Sequence, residues 1–289
     1  MLRSPVLVVT DPSFIQLYGH FRLTLKGFMV SLELFRRVFH VTVAESAGPD
    51  LITLAVEGSS RSPRAVLFPY RYLEGARLYK ESHTEVPVLV VVGRSLAPQS
   101  SRARLSANRN SSQTQSITFI YTDAAQDLYR AGLCAVALTA EAKGVLFFSE
   151  ETLSNECKEA FQEGLKAQGF IGNPVYLNTS AELASYSGIG CVVVAGPATK
   201  FIERDQKIPI ILFSWLDPAL TPRTVKLVFD DSPLALAVQA LKSLPPPDSA
   251  SAGDEIFVSS VTLALRDNIG EKKDFRKLQE LIKEKFEKN

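Results

Sequence analysis

Apolar runs of strand length recur along this chain, and segments of helical period separate them. The pattern predicts strands at Val6–Val9, Val41–Ala44, Ala65–Pro69, Val86–Val92 and Ile117–Tyr121. More follow at Gly144–Phe148, Val175–Leu177, Cys191–Ala195, Ile208–Phe213, Val225–Phe229 and Ile256–Ser260. Several are unbroken apolar stretches, such as VPVLVVV, CVVVA and IPIILF. Unbroken runs, rather than strict alternation, suit parallel strands buried on both faces. Between them, Leu153 to Gln168 places Cys157, Phe161 and Leu165 four apart, and Gly169 supplies a stop. Ala124 to Ala142 is apolar nearly all round, which predicts a well-buried helix.

Strand–helix alternation implies an α/β protein with right-handed crossovers. Eleven strands are many for one open sheet. The expected fold class is therefore α/β, with two Rossmann-like lobes carrying parallel sheets and joined by a hinge. The expected N-terminal lobe takes residues 1–121 and 224–248, so the Val225 strand and a Pro233–Leu244 helix return to it. The C-terminal lobe takes 122–223 and 249–289. The Pro/Ser-rich run from Ser243 to Glu255 reads as a flexible connection. Arg94 to Ser116 is polar and reads as a long loop or flap, functional or merely solvated. Gly270 to Asn289 alternates charge around Phe275, Leu278, Leu281, Ile282 and Phe286, the pattern of an amphipathic surface helix.

Composition narrows the function more than the fold. The 289 residues are 46% hydrophobic and 22% charged, ordinary values for a globular protein. Lys plus Arg is 32 against 31 for Asp plus Glu, so no nucleic-acid partner is expected, because phosphate neutralisation needs a concentrated basic surface. The three cysteines, Cys134, Cys157 and Cys191, lack metal-ligand spacing and read as buried free thiols. Met1 leads within four residues into the first strand, leaving no room for a signal peptide there. The expectation is a cytoplasmic protein, or a periplasmic or membrane-anchored one whose leader precedes the numbered chain. No apolar run has the length of a membrane helix.

Familiar catalytic motifs are missing. The first strand ends in Asp-Pro-Ser with no glycine before Gly19, so backbone amides cannot wrap a pyrophosphate there. There is no Gly-x-Ser-x-Gly elbow. His20, His40 and His83 are scattered, and no cluster suggests a metal. Asp230–Asp231 could be an acid–base pair, but the SPLALAVQAL that follows favours helix capping by Asp231 or Ser232. No catalytic residue, metal or cofactor is expected.

The order of segments resembles the type I periplasmic-binding-protein fold of ABC-transporter solute receptors and sugar-responsive repressor domains. VLVVTDPSFIQLYG looks like its opening strand, turn and glycine-containing helix, and Ser13, Phe14 and Gln16 are similar to the basic-membrane-protein, nucleoside-binding branch. AVLFPYRYLEGARLYKES followed by VPVLVVVGR looks like the third strand, its helix and the fourth strand. ITFIYTDAAQDLYRAGLCAVAL resembles the crossover Asp and its helix, and GVLFFSEETLSNECKEAFQEGLKAQGF the start of the second lobe. IPIILFSWLDPALTPRTVKLVFDDSPLALAVQALKSL resembles the late strand ending in Asp, then the returning strand and helix. The likeness spans about residues 5 to 265. It departs at Ser154–Lys158, where the family usually carries a sugar-holding Arg, and at the first turn, which lacks the nucleoside branch's acidic cluster.

The resemblance implies a non-enzymatic receptor that closes two lobes around a small solute and presents it to an ABC transporter permease. The expected ligand is a nucleoside, sugar, amino acid or similar, and the expected state is a monomer. A cytoplasmic sensing module of the same fold, regulating a partner, is the alternative. Ligand contacts are then expected at the carboxyl ends of strands. These are Asp11, Ser13 and Phe14 after the first strand, Tyr70 and Tyr72 after the third, and Asp123 at the first crossover. Ser149 and Glu150, Gly196, and Trp215 with Asp217 complete the set from the second lobe. Asp11, Ser13 and Asp123 also suit helix caps, Phe14 suits a core position, and the two tyrosines suit anchors for a helix start.

Overall fold

The computed structural model describes residues 4–13, 37–60, 62–93, 117–139, 143–149, 153–178, 186–195, 208–213, 223–230, 235–236, 239, 255–264 and 272–286. The chain divides into two compact units, each built around one six-stranded sheet.

In the first unit the strands are β1 (Val6–Thr10), β2 (Val38–Thr42), β3 (Ala65–Pro69), β4 (Val88–Gly93), β5 (Ile117–Thr122) and β11 (Glu255–Val258). Their order is β11-β5-β4-β3-β1-β2, and every pair is parallel. All five residues of β1 are buried, as an unbroken apolar strand requires when both sheet faces are covered. Leu7 and Val9 point to one face, where they join Val66, Phe68, Val88 and Val90. That face is covered by α1 (Pro49–Ser59) through Ile52 and Val56, and by α2 (Leu73–Ser82) through Ala76 and Tyr79. Val6 and Val8 point to the other face with Leu67, Leu89, Ile120, Val258 and Leu236.

The second unit repeats the plan with β6 (Gly144–Ser149), β7 (Val175–Leu177), β8 (Ile189–Ala195), β9 (Ile210–Phe213), β10 (Val225–Asp230) and β12 (Val261–Ala264), ordered β12-β10-β9-β8-β6-β7. Here all pairs are parallel except β12, which runs antiparallel to β10. One face is covered by α3 (Ala124–Leu138), α4 (Asn155–Ala167) and α5 (Lys272–Phe286). Phe147, Phe161, Cys134, Cys191, Phe213, Phe229 and Leu278 meet there, with Phe213 and Phe229 stacked at 4.5 Å between ring centroids. α3 and α4 approach through glycines. A Cβ on Gly132 would lie 2.5 Å from the Phe161 carbonyl oxygen, and one on Gly164 would overlap the Tyr129 carbonyl oxygen. α4 begins with Ser154 accepting from the Cys157 amide and ends at Gly169, whose φ of 81° an L side chain rarely adopts.

The α/β fold class expected from the sequence is the one observed. The expected boundaries differ. The Val225 strand stays in the second unit, because β10 pairs with β9 rather than returning to the first sheet. The strand at 255–258 goes instead to the first unit, as the parallel neighbour of β5. Leu236, from the expected Pro233–Leu244 helix, does pack in the first unit. The Arg94–Ser116 loop lies outside the described residues, as does the Ser243–Glu255 connection apart from Glu255 itself.

Candidate functional site

Both sheets run in the sense 2-1-3-4-5, so each has a switch point beside its first strand, where the chain's winding direction reverses. In open α/β sheets the crevice at the carboxyl end of that point is where ligands bind. In the first unit the switch point lies between β1 and β3, and two polar segments meet there. Asp11 follows β1, and Tyr70–Tyr72 forms a single 3-10 turn after Pro69 of β3.

Asp11 continues the alternation of Leu7 and Val9, so its carboxylate goes to the helix-covered face. It is 2% exposed, while Arg71 beside it is 48% exposed. Oδ1 accepts from the Ser13 hydroxyl at 2.6 Å. Oδ2 accepts from Arg71 Nη1 at 3.1 Å and from the Tyr72 hydroxyl at 2.9 Å. Arg71 Nη1 also reaches Ser13 Oγ at 3.5 Å, and its Cζ lies 5.2 Å from the centre of the Tyr72 ring. A buried carboxylate must be paired and hydrogen-bonded, and Asp11 is both. Burial, then the hydrogen bond to Asp11, push the Tyr72 phenol up to about 12. Tyr72 is therefore a neutral donor at any physiological pH.

The arrangement clamps a guanidinium. One nitrogen is held by Asp11 and Ser13, a ring lies against the plane, and about half of the side chain faces solvent. A planar fork fixed this way presents its remaining N–H donors at low entropic cost. It suits acceptor oxygens of a small solute, whether hydroxyl, carbonyl or carboxylate. Tyr70, 36% exposed, flanks it with an aromatic face.

The expected site residues thus separate. Asp11, Ser13, Tyr70 and Tyr72 come together at the first switch point. Asp123 is a helix cap, with Oδ1 accepting from the Gln126 amide at 3.0 Å. Ser149 ends β6 fully buried, at the corresponding switch point of the second unit. Phe14, Glu150, Gly196, Trp215 and Asp217 lie outside the described residues, as does Asp231. Asp230 is buried at the end of β10, in register with Val261 of β12. Arg71 is not among the residues the sequence singles out, although it stands between Tyr70 and Tyr72, which are. Its signal was topological, a lone cation at the exit of the strand beside β1.

Other chemistry is quiet among the described residues. The three thiols are reduced and buried, and burial pushes the Cys134 and Cys191 thiols up, the latter to about 12. Such thiols are poor nucleophiles. Among the described residues, no three His, Cys, Asp or Glu side chains are placed to hold a metal. No described helix is long and apolar enough to cross a membrane.

No protein-family model matches the chain, and no curated protein does either. Solved structures do. The fold is similar to a transcriptional activator of the comK gene from Bacillus halodurans, at 12% identity over 97% of each chain with a TM-score of 0.58. It is similar to an ABC-transporter solute-binding protein from Conexibacter woesei, at 10% identity over 96% of this chain and 94% of that one, TM-score 0.56. It is also similar to a periplasmic solute-binding protein from Actinobacillus succinogenes with bound D-allose, at 13% identity over 95% and 100% of the chains, TM-score 0.51. These structures are of binding proteins and a regulator, and with the two sheets of like strand order they establish that this chain has the type I periplasmic-binding-protein fold.

Proposed function

We propose that this protein is a solute-binding receptor, in which Arg71, set by Asp11 and Tyr72, takes hold of a small hydroxylated or oxyanionic ligand. The observation that carries the reading is the clamped guanidinium at the switch point between β1 and β3. Asp11 and Tyr72 are positioning residues, since Asp11 is buried and its oxygens are engaged by protein donors. Arg71, Ser13 and Tyr70 touch the ligand. In this reading the second unit adds contacts after β6, β8 and β9, at Glu150, Gly196, Trp215 and Asp217, with buried Ser149 behind them as a positioning residue. A ligand held by both units at once drives closure by its differential affinity for the closed state. The closed form is then presented to an ABC-type permease outside the cytoplasmic membrane. The fold's occurrence in both solute receptors and a transcriptional activator supports a second reading, in which the same binding event is passed to a regulatory partner.

The test is a thermal-shift screen across sugars, nucleosides and amino acids, repeated with Arg71→Ala. Ligand at about a hundred times Kd stabilises by about 2.7 kcal/mol. A hit that Arg71→Ala abolishes supports the proposal, and a hit of equal strength in that variant removes Arg71 from the site. Capture of a permease complex or of a cytoplasmic regulator by the ligand-loaded protein separates the two readings.

A further inference from the structure

Besides its return between Asp231 and Ser232, the chain passes from the first unit to the second between Thr122 and Asp123 and again between Val258 and Ser259. These two crossings are neighbours before they leave the first sheet. β5 and β11 are paired in register up to Thr122 and Val258, the last residues of each. Beyond the crossing they are joined again, by a different interaction. Asp127, wholly buried on the first turn of α3, has both carboxylate oxygens on the Ser260 amide, at 3.0 and 3.1 Å. The partners are 133 residues apart in sequence, so this is no local turn. The same first turn is fixed by Asp123, which caps it through the Gln126 amide and whose carbonyl accepts from the Asp127 amide.

We infer that Asp127 is a clasp that makes the two crossings move as one ribbon, confining their freedom to Asp123 on one strand and Ser259 on the other. The residues just before them are held by the β5–β11 ladder, and those just after by α3, the clasp and the β10–β12 ladder. A charged acceptor on a backbone amide is a strong bond, well suited to survive bending of the segment beside it. Two buried hydroxyls stand beside these positions, Thr122 Oγ1 and Ser260 Oγ, neither with a hydrogen-bond partner. A second arrangement of the ribbon in which they find partners is therefore not opposed by hydrogen bonds already made. The inference rests on the receptor reading for its purpose, since that reading requires the two units to move. Its test uses ligand-free protein and so fails independently of any ligand screen.

The experiment is pulsed dipolar spectroscopy on the full chain, spin-labelled at Glu81→Cys on α2 and Glu163→Cys on α4. Both sites are exposed, and the three native thiols are buried. Asp127→Ala is expected to broaden the interspin distance distribution about twofold, with Asp127→Asn, which keeps one acceptor oxygen, in between. Amide exchange at Ser260 is expected to rise about tenfold while Val192–Val194 in β8 stay protected. Faster exchange at Ser260 with an unchanged distance distribution would reduce the contact to a local cap and overturn the proposal. If Asp127→Ala does not fold, Asp127→Asn and Ser259→Gly decide. Both are expected to broaden the distribution, and an unchanged width in both overturns it.

Discussion

The two units share one strand order and use it differently. In the first, the switch point carries a charged network, Asp11 with Ser13, Arg71 and Tyr72. In the second, Ser149 occupies the corresponding strand end, fully buried, and the carboxylates of Asp127 and Asp230 are buried as well. The helix layers differ in the same direction. α3 and α4 meet backbone to backbone at Gly132 and Gly164, whereas Gly75 of α2 meets only the Ile52 side chain of α1. A shared topology therefore fixes where a site can lie, and the described part of the first unit fills that place with polar groups. Among the described residues, the second unit shows the closer helix packing and the first the solvent-facing cation.

The sharpest way to break this comparison is to add one methyl group to each helix pair. Gly164→Ala forces a Cβ into the Tyr129 carbonyl, and neither backbone can move without separating α3 from α4. It is expected to cost about 3 kcal/mol or more, read as a lower urea midpoint. Gly75→Ala places a Cβ 3.0 Å from Ile52 Cγ2, where a rotamer shift relieves the contact. Its expected cost is under about 1 kcal/mol, since Ala also gains helix propensity over Gly. Equal costs would mean that the two helix layers are equally tight.

A smaller effect separates positioning from contact in the first unit. Asp11→Ala leaves the buried Tyr72 hydroxyl without its acceptor and is expected to lower stability by about 2 kcal/mol. Arg71→Ala removes a half-exposed partner while Asp11 keeps two hydroxyl donors, so about 1 kcal/mol is expected in urea denaturation. If Arg71→Ala is the costlier change, the guanidinium is structural and its role as a ligand contact falls.

Alkaline titration gives a finer comparison. Tyr72 and Tyr79 in the first unit and Tyr176 in the second are each pushed up to about 12, first of all by burial. A phenol with a raised folded pKa favours the folded state fully below its unfolded pKa near 10, and that stabilisation is lost as pH rises through 12. Stability should therefore fall between pH 10 and 12, with the phenols of Tyr72, Tyr79 and Tyr176 ionising late at 295 nm. Tyr72→Phe should remove one late phenol and flatten the fall. The smallest signal is thiol chemistry. All three cysteines lie in the second unit and are buried, so a thiol reagent should be inert to native protein and should report opening of that unit alone. Labelling of the native state at the rate of a free thiol would show that its core is loose.

Much of the fold was legible because buried parallel strands write themselves as unbroken apolar runs. VPVLVVV and CVVVA are β4 and β8, and the four-residue spacing of Cys157, Phe161 and Leu165 is the buried stripe of α4. What the sequence concealed was pairing. β12 is four residues long and its partner Asp230 lies far upstream, so nothing local marks Val261–Ala264 as a strand. The same blindness sent the Val225 strand to the wrong unit, since its neighbour β9 is set by tertiary register. In the site, strand ends pointed to Asp11, Tyr70 and Tyr72 without showing their roles. Arg71 gains meaning only from a carboxylate 60 residues away.

The final strands of the two sheets, β11 and β12, are separated by only Ser259 and Ser260. Ten consecutive residues, Glu255 to Ala264, thus finish both sheets, one in parallel and the other in antiparallel sense. On the ribosome, neither sheet can be completed before that stretch emerges, however early the other strands are made. Until then β5 and β10 each keep an open edge, the kind of surface that pairs with foreign strands. A stalled or nicked chain ending before residue 255 would therefore expose two sticky edges at once. Quality control of this protein would turn on a segment remote from the guanidinium that gives it its proposed use.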